Sequence, residues 1–168
     1  MGTGRFAKPL GIEEGVEPSY NMGKIAKSRG IKVYSGTAEE LPLNNNSYDF
    51  VLMVTTLCFL DNLEKSFSEV YRILKEHGRF IIGFIDKDSP IGKKYLESKN
   101  ESTFYKHADF YSTDDVLRLL KKFNFKDIDV LQTIFGNPED IKDIQEFKRG
   151  YGEGVFVVVV SEKQGGIR

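Results

Sequence analysis

The sequence predicts an α/β layered sheet, because short apolar segments alternate with amphipathic ones along its 168 residues. Residues 50–54 and 80–85 lack polar alternation, which is typical of strands covered by helices on both faces. We therefore expect residues 50–54 to form a central strand. Residues 63–75 carry apolar side chains at three- and four-residue steps, which is typical of a helix that covers a sheet. Such alternation is typical of α/β proteins with mostly parallel strands.

The first elements follow from local signals. Residues 12–17 are expected to form a brief strand, and residues 31–35 the next one. A helix is expected between them, over residues 21–29, because Ser19 is a suitable N-cap and Gly30 a suitable stop. The early part of the chain therefore predicts a strand, a helix and a second strand in that order.

The last elements follow a long polar and aromatic stretch. Residues 86–111 are expected to form an insertion on the substrate side of a single domain that spans residues 1–168. Ser112 can cap a helix over residues 114–123. Two further strands, residues 128–135 and 155–161, are expected to pair antiparallel at the sheet edge, because the connection between them lacks a strongly amphipathic helix.

Composition narrows the class of partner. The formal net charge is -1, so bulk charge does not indicate a nucleic-acid or membrane surface. A single cysteine, Cys58, excludes a disulfide framework and any multi-cysteine metal site, and it suits a reducing compartment. The sequence has no secretory pattern at its start and no apolar run long enough for a membrane span. We expect a cytoplasmic protein with a small-molecule partner and no metal.

Polar and glycine residues follow the predicted strands. In an open α/β sheet, ligands bind beyond the carboxyl ends of the strands, so these residues are best considered together. Gly2 and Gly4 form a turn that can approach a ligand closely, and Glu17 follows the strand over residues 12–17. A carboxylate in that place can accept hydrogen bonds from a ribose diol. The sequence therefore predicts a nucleotide site.

These motifs carry a family resemblance. The loop over residues 36–43, Gly-Thr-Ala-Glu-Glu-Leu-Pro-Leu, followed by Tyr-Asp-Phe-Val at 48–51, is the most specific of them. From residue 2 to residue 161 the chain resembles the class I S-adenosylmethionine-dependent methyltransferases, of the small-molecule, type-11-like kind. The resemblance implies a Rossmann-like three-layer sandwich with a mostly parallel sheet and an antiparallel edge strand. It also implies methyl transfer from S-adenosylmethionine to a small-molecule acceptor, with S-adenosylhomocysteine as the product.

The resemblance also implies a set of cofactor-binding residues. The glycine turn would cradle the amino-acid part and ribose of the cofactor, Glu17 would accept both ribose hydroxyls, and the loop at 37–39 would read the adenine. The full implied set is Gly2, Thr3, Gly4, Glu17, Pro18, Ser19, Met22, Thr37, Ala38, Glu39, Val54, Thr55, Thr56 and Phe59.

No catalytic dyad stands out, and a sulfonium donor requires none. We place the acceptor pocket between the exit of the strand at 50–54, the insertion at 86–111 and the loop at 150–154. His107, Tyr105 and Tyr151 are its weak catalytic candidates, each with a plain structural alternative as a loop or packing residue.

One part of the family pattern is missing from the sequence. The resemblance places a further strand, the family's first, between the strands at 12–17 and 50–54, and the chain begins at the glycine turn that would follow it. We expect Met1 to be a start within a longer chain, and loss of activity in this form is one expectation. Strand borrowing from a neighbouring chain is the alternative, and a homodimer could cover the exposed edges.

Two other functions stay open at this point. A protein that binds S-adenosylmethionine or S-adenosylhomocysteine for regulation would keep the adenosine pocket without acceptor chemistry. An NAD-dependent oxidoreductase would also carry a Gly-x-Gly-x-x-Ala turn such as residues 2–7. The separation of Gly4 from Glu17 is shorter than the roughly 20 residues typical of a dinucleotide fingerprint, which favours the methyltransferase.

Overall fold

The computed structural model describes residues 1–97, 106 and 108–165. Tyr105 and His107, two of the catalytic candidates, lie outside these residues. The elements in chain order are β1 (Glu14–Val16), α1 (Tyr20–Ser28), β2 (Lys32–Tyr34), β3 (Tyr48–Val54), a 3-10 helix (Leu57–Phe59), α2 (Leu63–Ile73), β4 (Leu74–Ile85), α3 (Pro90–Glu97), α4 (Thr113–Lys122), β5 (Phe125–Thr133), a second 3-10 helix (Pro138–Asp140), β6 (Lys148–Arg149) and β7 (Phe156–Lys163).

The strands form two sheets with helices packed on them, which confirms the predicted α/β class. β1 and β2 pair in parallel, and a five-stranded sheet has the order β3-β4-β7-β5-β6. β3 and β4 are parallel, whereas β7 is antiparallel to both β4 and β5. The predicted antiparallel pairing of the last long strands is therefore confirmed, but their predicted place at the sheet edge is wrong, because β7 lies between β4 and β5 and the short strand β6 forms the edge.

The prediction that residues 50–54 form a central strand is wrong. β3 is the outer strand of the five-stranded sheet, and the Phe50 side chain is 50% exposed. Within the described part of the chain, no strand pairs with the second edge of β1 or of β3. The Glu14 carboxylate of β1 accepts the Tyr34 hydroxyl of β2 at 3.1 Å, and the nearby Tyr48 hydroxyl of β3 is the main cause that lowers the pKa of Glu14. An apolar run in the sequence indicates that the faces of a strand are covered. It does not indicate whether another strand pairs with each edge.

The core lies where α2 and α4 cover β4, β5 and β7. Phe67 of α2 is fully buried and meets the ring of Phe80 edge-on, with 5.3 Å between ring centroids. Phe80 also packs against Phe125 of β5, at 5.6 Å. Val157 and Val159 of β7 complete the same cluster. The central strands are therefore held by an aromatic layer under the two amphipathic helices.

Helices α1 and α4 begin at the predicted caps, but α2 ends earlier than predicted. Ser19 accepts a hydrogen bond from the Met22 N–H at 3.4 Å, and Ser112 accepts one from the Asp115 N–H at 3.1 Å. The predicted helix at 63–75 ends earlier, at Ile73, and β4 begins at Leu74 instead of residue 80. The Ser47 N–H, in the polar turn before β3, donates to the Ile73 carbonyl at 2.8 Å. This contact with the turn replaces a further turn of helix after Ile73.

The start of the predicted insertion is tied firmly to the sheet. Asp86 follows β4 and is 1% exposed. Its carboxylate accepts the Thr113 hydroxyl at 2.8 Å and the Asp88 N–H at 3.0 Å, which joins the end of β4 to the start of α4. Ser112, which caps α4, is buried close to this junction. None of the helices in the described residues is long and apolar enough to cross a membrane.

Candidate functional site

The glycine turn adopts a left-handed backbone conformation. Gly2 and Gly4 have φ angles of 62° and 75°. The two glycines differ in surroundings. The space a side chain would occupy at Gly2 is open, whereas at Gly4 it is filled by Ile31 and Ala26. Gly4 therefore lets the turn pack on α1, and Gly2 is the one that leaves room for a ligand.

Glu17 lies at the exit of β1, directly against that turn. Its side chain is 7% exposed. One carboxylate oxygen accepts the Gly2 N–H at 2.6 Å and the Met1 ammonium at 3.2 Å, and the other accepts the Ser19 N–H at 2.9 Å. Burial raises the pKa of Glu17, but the N–H groups and the ammonium outweigh it and hold the pKa below its usual value. Glu17 is therefore a charged group that ties the turn to α1.

The neighbouring loop, residues 36–43, is held on α2 by two carboxylates. Glu39 accepts the N–H groups of Asp61, at 3.0 Å, and Asn62, at 3.4 Å, just before α2. The Leu41 N–H donates to Glu69 at 2.8 Å. Burial raises the pKa of Glu39, yet its own backbone N–H, the Thr37 hydroxyl and the N–H groups of Asn62 and Asp61 bring it below its usual value. Glu39 thus connects the loop to the start of α2.

The exit of β3 contains a strained residue. Thr55 has a φ of 49°, a left-handed conformation that costs a β-branched residue about 1–3 kcal/mol. Its N–H donates to the Gly83 carbonyl of β4 at 2.8 Å, and the Thr56 hydroxyl donates back to the Val54 carbonyl at 3.0 Å. These bonds turn the chain sharply into the 3-10 helix, where Phe59 is 52% exposed. Strain of this kind is concentrated at functional sites.

The residues at the exits of β1, β2 and β3 lie next to one another and form a continuous row. Gly36 lies against Val16 of β1, so the loop at 36–43 adjoins the exit that carries Glu17. The same loop reaches Asp61 through Glu39, next to Phe59. The remaining residues of the implied set are near these points: Pro18 is exposed beside Glu17, Met22 is half-exposed in the first turn of α1, and Ala38 packs on the core.

The third acceptor-side candidate lies elsewhere. The Tyr151 hydroxyl donates to the Asp114 carboxylate at 2.7 Å, which attaches the loop after β6 to the start of α4. Gln132 holds the same loop, because its side-chain oxygen accepts the N–H groups of Glu153 and Gly154 at 2.9 Å and 2.8 Å. Tyr151 is not among the described residues that line the cavity beside Thr55.

That cavity was only partly foreseen from the sequence. It has a volume of about 20 Å³, and its described lining is Thr55, Leu57, Cys58, Phe84, Ile85, Asp109, Phe110 and Tyr111. It therefore joins the exit of β3, the end of β4 and the end of the predicted insertion. The Asp109 N–H donates to the Cys58 carbonyl at 2.8 Å. Asp109 and Phe110 were missed, because this long-range hydrogen bond has no signature in either segment alone.

Comparisons with known proteins indicate the family of the chain. A methyltransferase domain family model matches residues 1–82. A crystal structure of an S-adenosylmethionine-dependent methyltransferase of Thermotoga maritima, described as a possible histamine N-methyltransferase, is 48% identical with a TM-score of 0.94, over 97% of this chain and 78% of that one. An uncharacterised Methanocaldococcus jannaschii protein is 47% identical over 163 residues, which are 97% of this chain and 79% of that protein.

A more distant relative is longer. An uncharacterised protein of Mycobacterium tuberculosis is 31% identical over 163 residues, which are 96% of this chain and 57% of that protein. The chain thus spans little more than half of that relative. By fold, by its family model and by these similarities, the chain belongs to the class I S-adenosylmethionine-dependent methyltransferases.

Proposed function

We propose that this chain binds S-adenosylmethionine along the carboxyl ends of β1, β2 and β3 and takes part in methyl transfer to a small molecule. The proposal rests chiefly on the position of Glu17, whose charged and almost buried carboxylate contacts the glycine turn. A carboxylate oxygen can accept more than one hydrogen bond, so the oxygen that accepts the Ser19 N–H can accept a ribose hydroxyl as well. The residues present therefore fit the adenosine part of the cofactor.

The proposed roles of the other residues follow from their places in the row. Gly2 and Thr3 would adjoin the ribose and the amino-acid part, and Thr37 and Ala38 would adjoin the adenine. Thr55 and Thr56 would lie beside the methionine part, next to the cavity. S-adenosylmethionine supplies a methyl group on a sulfonium that is its own leaving group, so the protein has chiefly to align the acceptor with it.

A calorimetric titration tests the proposal. We expect S-adenosylhomocysteine, the proposed product, to bind the chain with one-to-one stoichiometry and NAD to give no heat of binding. NAD binding without S-adenosylhomocysteine binding would contradict the proposal and favour the oxidoreductase. If the chain binds S-adenosylhomocysteine but transfers a methyl group to none of a panel of acceptors, the regulatory binding protein would be favoured instead.

The contacts of Glu39 give a second prediction at this site. We expect Glu39→Ala to weaken S-adenosylhomocysteine binding about tenfold. Without the carboxylate, two backbone N–H groups would lose their acceptor, and the loop at 36–43 would lose its attachment to the start of α2. Glu39→Gln keeps an acceptor oxygen and should retain most of the affinity. Calorimetry on both variants makes the comparison. If Glu39 read the adenine directly through its charge, both variants would lose affinity equally, and that outcome would contradict the positioning role.

A further inference from the structure

Left-handed backbone conformations occur at both ends of the five-stranded sheet, but on different types of residue. In the described part of the chain, the non-glycine residues with positive φ are Asn46, Thr55, His77, Asn124 and Ile134. Asparagine and histidine adopt this conformation more often than other residues that have a side chain, whereas a β-branched residue is strained by it. Thr55 and Ile134 are the β-branched members of this set, so the strain falls on them.

The two strained residues lie at the same end of the sheet. β7 is antiparallel to both β4 and β5, and β3 is parallel to β4, so β3 and β5 run in the same direction. Thr55 directly follows β3, and Ile134 directly follows β5. Asn46 and Asn124 instead lie just before these two strands, at the opposite end. The strain is therefore concentrated at the carboxyl ends of the strands, where ligands bind in open α/β sheets.

Thr55 is the strained residue that carries a polar group. It is exposed, it lines the small cavity at this end of the sheet, and its hydroxyl makes no hydrogen bond to another described residue. The neighbouring Thr56 differs on both counts, because its φ is -111° and its hydroxyl donates to the Val54 carbonyl at 3.0 Å. Of the two threonines, Thr55 thus combines backbone strain with a hydroxyl that can bind a ligand.

We infer that Thr55 is a specificity-determining residue, whose hydroxyl hydrogen-bonds the amino-acid part of the cofactor. The inference rests on the proposed function, which puts the methionine part beside the exit of β3. An amino-acid part carries an ammonium and a carboxylate, and a hydroxyl can accept from the first or donate to the second. The Thr55 N–H is held by the Gly83 carbonyl at 2.8 Å, and a β-branched side chain has few rotamers. The hydroxyl is therefore largely in place before the ligand binds, which lowers the cost of ordering it.

Calorimetry with two ligands tests the role of the hydroxyl. Thr55→Val keeps the β-branched shape without the hydroxyl, whereas Thr55→Ser keeps the hydroxyl. We expect S-adenosylhomocysteine to bind Thr55→Val about tenfold more weakly than the original chain, which is the effect of one lost hydrogen bond to a charged group. Thr55→Ser should keep most of the affinity. Methylthioadenosine, which has a methyl group in place of the amino-acid part, should not distinguish Thr55→Val from the original chain.

Urea unfolding tests the strain separately. Glycine adopts a positive φ without steric cost, so Thr55→Gly should raise the midpoint of unfolding. It should also weaken S-adenosylhomocysteine binding as much as Thr55→Val does, because both variants lack the hydroxyl. Thr56→Gly gives the matched comparison. Its φ is not left-handed, so we expect that variant to lower the midpoint.

Several results would overturn the inference. These are an unchanged affinity in Thr55→Val, equal losses in Thr55→Val and Thr55→Ser, a loss of methylthioadenosine affinity as large as that of S-adenosylhomocysteine, and a lower midpoint in Thr55→Gly. The original chain separates this failure from that of the proposed function. If it binds S-adenosylhomocysteine and the variants give one of these results, the Thr55 inference fails alone. If the original chain does not bind S-adenosylhomocysteine, the proposed function fails and this inference fails with it.

Discussion

Replacing Glu17 with glutamine is expected to weaken S-adenosylhomocysteine binding about 10- to 100-fold. The substitution keeps the size of the side chain and removes the charge that the proposed ribose hydroxyls would meet. Hydrogen bonds to a charged group contribute about 1.5–3 kcal/mol, which corresponds to that range of affinity. The measurement is the dissociation constant from calorimetry, compared between the original chain and Glu17→Gln.

Glu14 provides a matched control at the other end of the same strand. Its carboxylate is also partly buried and accepts the Tyr34 hydroxyl at 3.1 Å, but it lies at the amino end of β1. We expect Glu14→Gln to lower the free energy of unfolding without changing the affinity for S-adenosylhomocysteine. If the two variants lose affinity equally, the effect is one of stability, and Glu17 has no special part in binding.

Replacing Phe67 with alanine should lower the free energy of unfolding by about 3–5 kcal/mol. The ring is fully buried under α2 and contacts the rings of Phe80 and Phe123, with centroids 5.3 Å and 6.2 Å away. Its removal leaves a cavity in the aromatic layer on which the sheet depends. Domains of this size have a total stability of about 5–15 kcal/mol, so the loss would be a large part of it.

Urea unfolding measures this change. The midpoint concentration should fall strongly in Phe67→Ala, with the slope of the transition preserved if unfolding stays two-state. Phe6, whose side chain is 52% exposed, gives the control. Phe6→Ala should change the free energy of unfolding by less than about 0.5 kcal/mol. A loss below about 1 kcal/mol in Phe67→Ala would mean that the core does not depend on this ring.

Much of the local structure could be predicted from the sequence. Ser19 and Ser112 indicated the starts of α1 and α4, and both accept the expected backbone hydrogen bond. The antiparallel pairing of β5 with β7 also followed from the character of their connection. These features depend on neighbouring residues and on the spacing of apolar side chains, and both are present in the sequence itself.

The candidate site shows where this reasoning stops. The sequence indicated that Glu17, Thr37 and Thr55 follow strands, and hence that they lie at one end of the sheet. It did not indicate that Glu39 bonds the chain before α2, or that Asp109 comes next to Cys58. Contacts of this kind join segments far apart in the chain, so neither segment shows them in its own pattern.

The sequence by itself thus determined the type and order of most elements, the helix caps and the row of residues at the strand exits. The tertiary structure decided that β3 is the outer strand of its sheet and that β7 inserts between β4 and β5. It also decided that one small cavity brings together residues from three segments. The physical reason is that pattern and propensity act locally, whereas strand neighbours and cavities arise from hydrogen bonds and packing between distant segments.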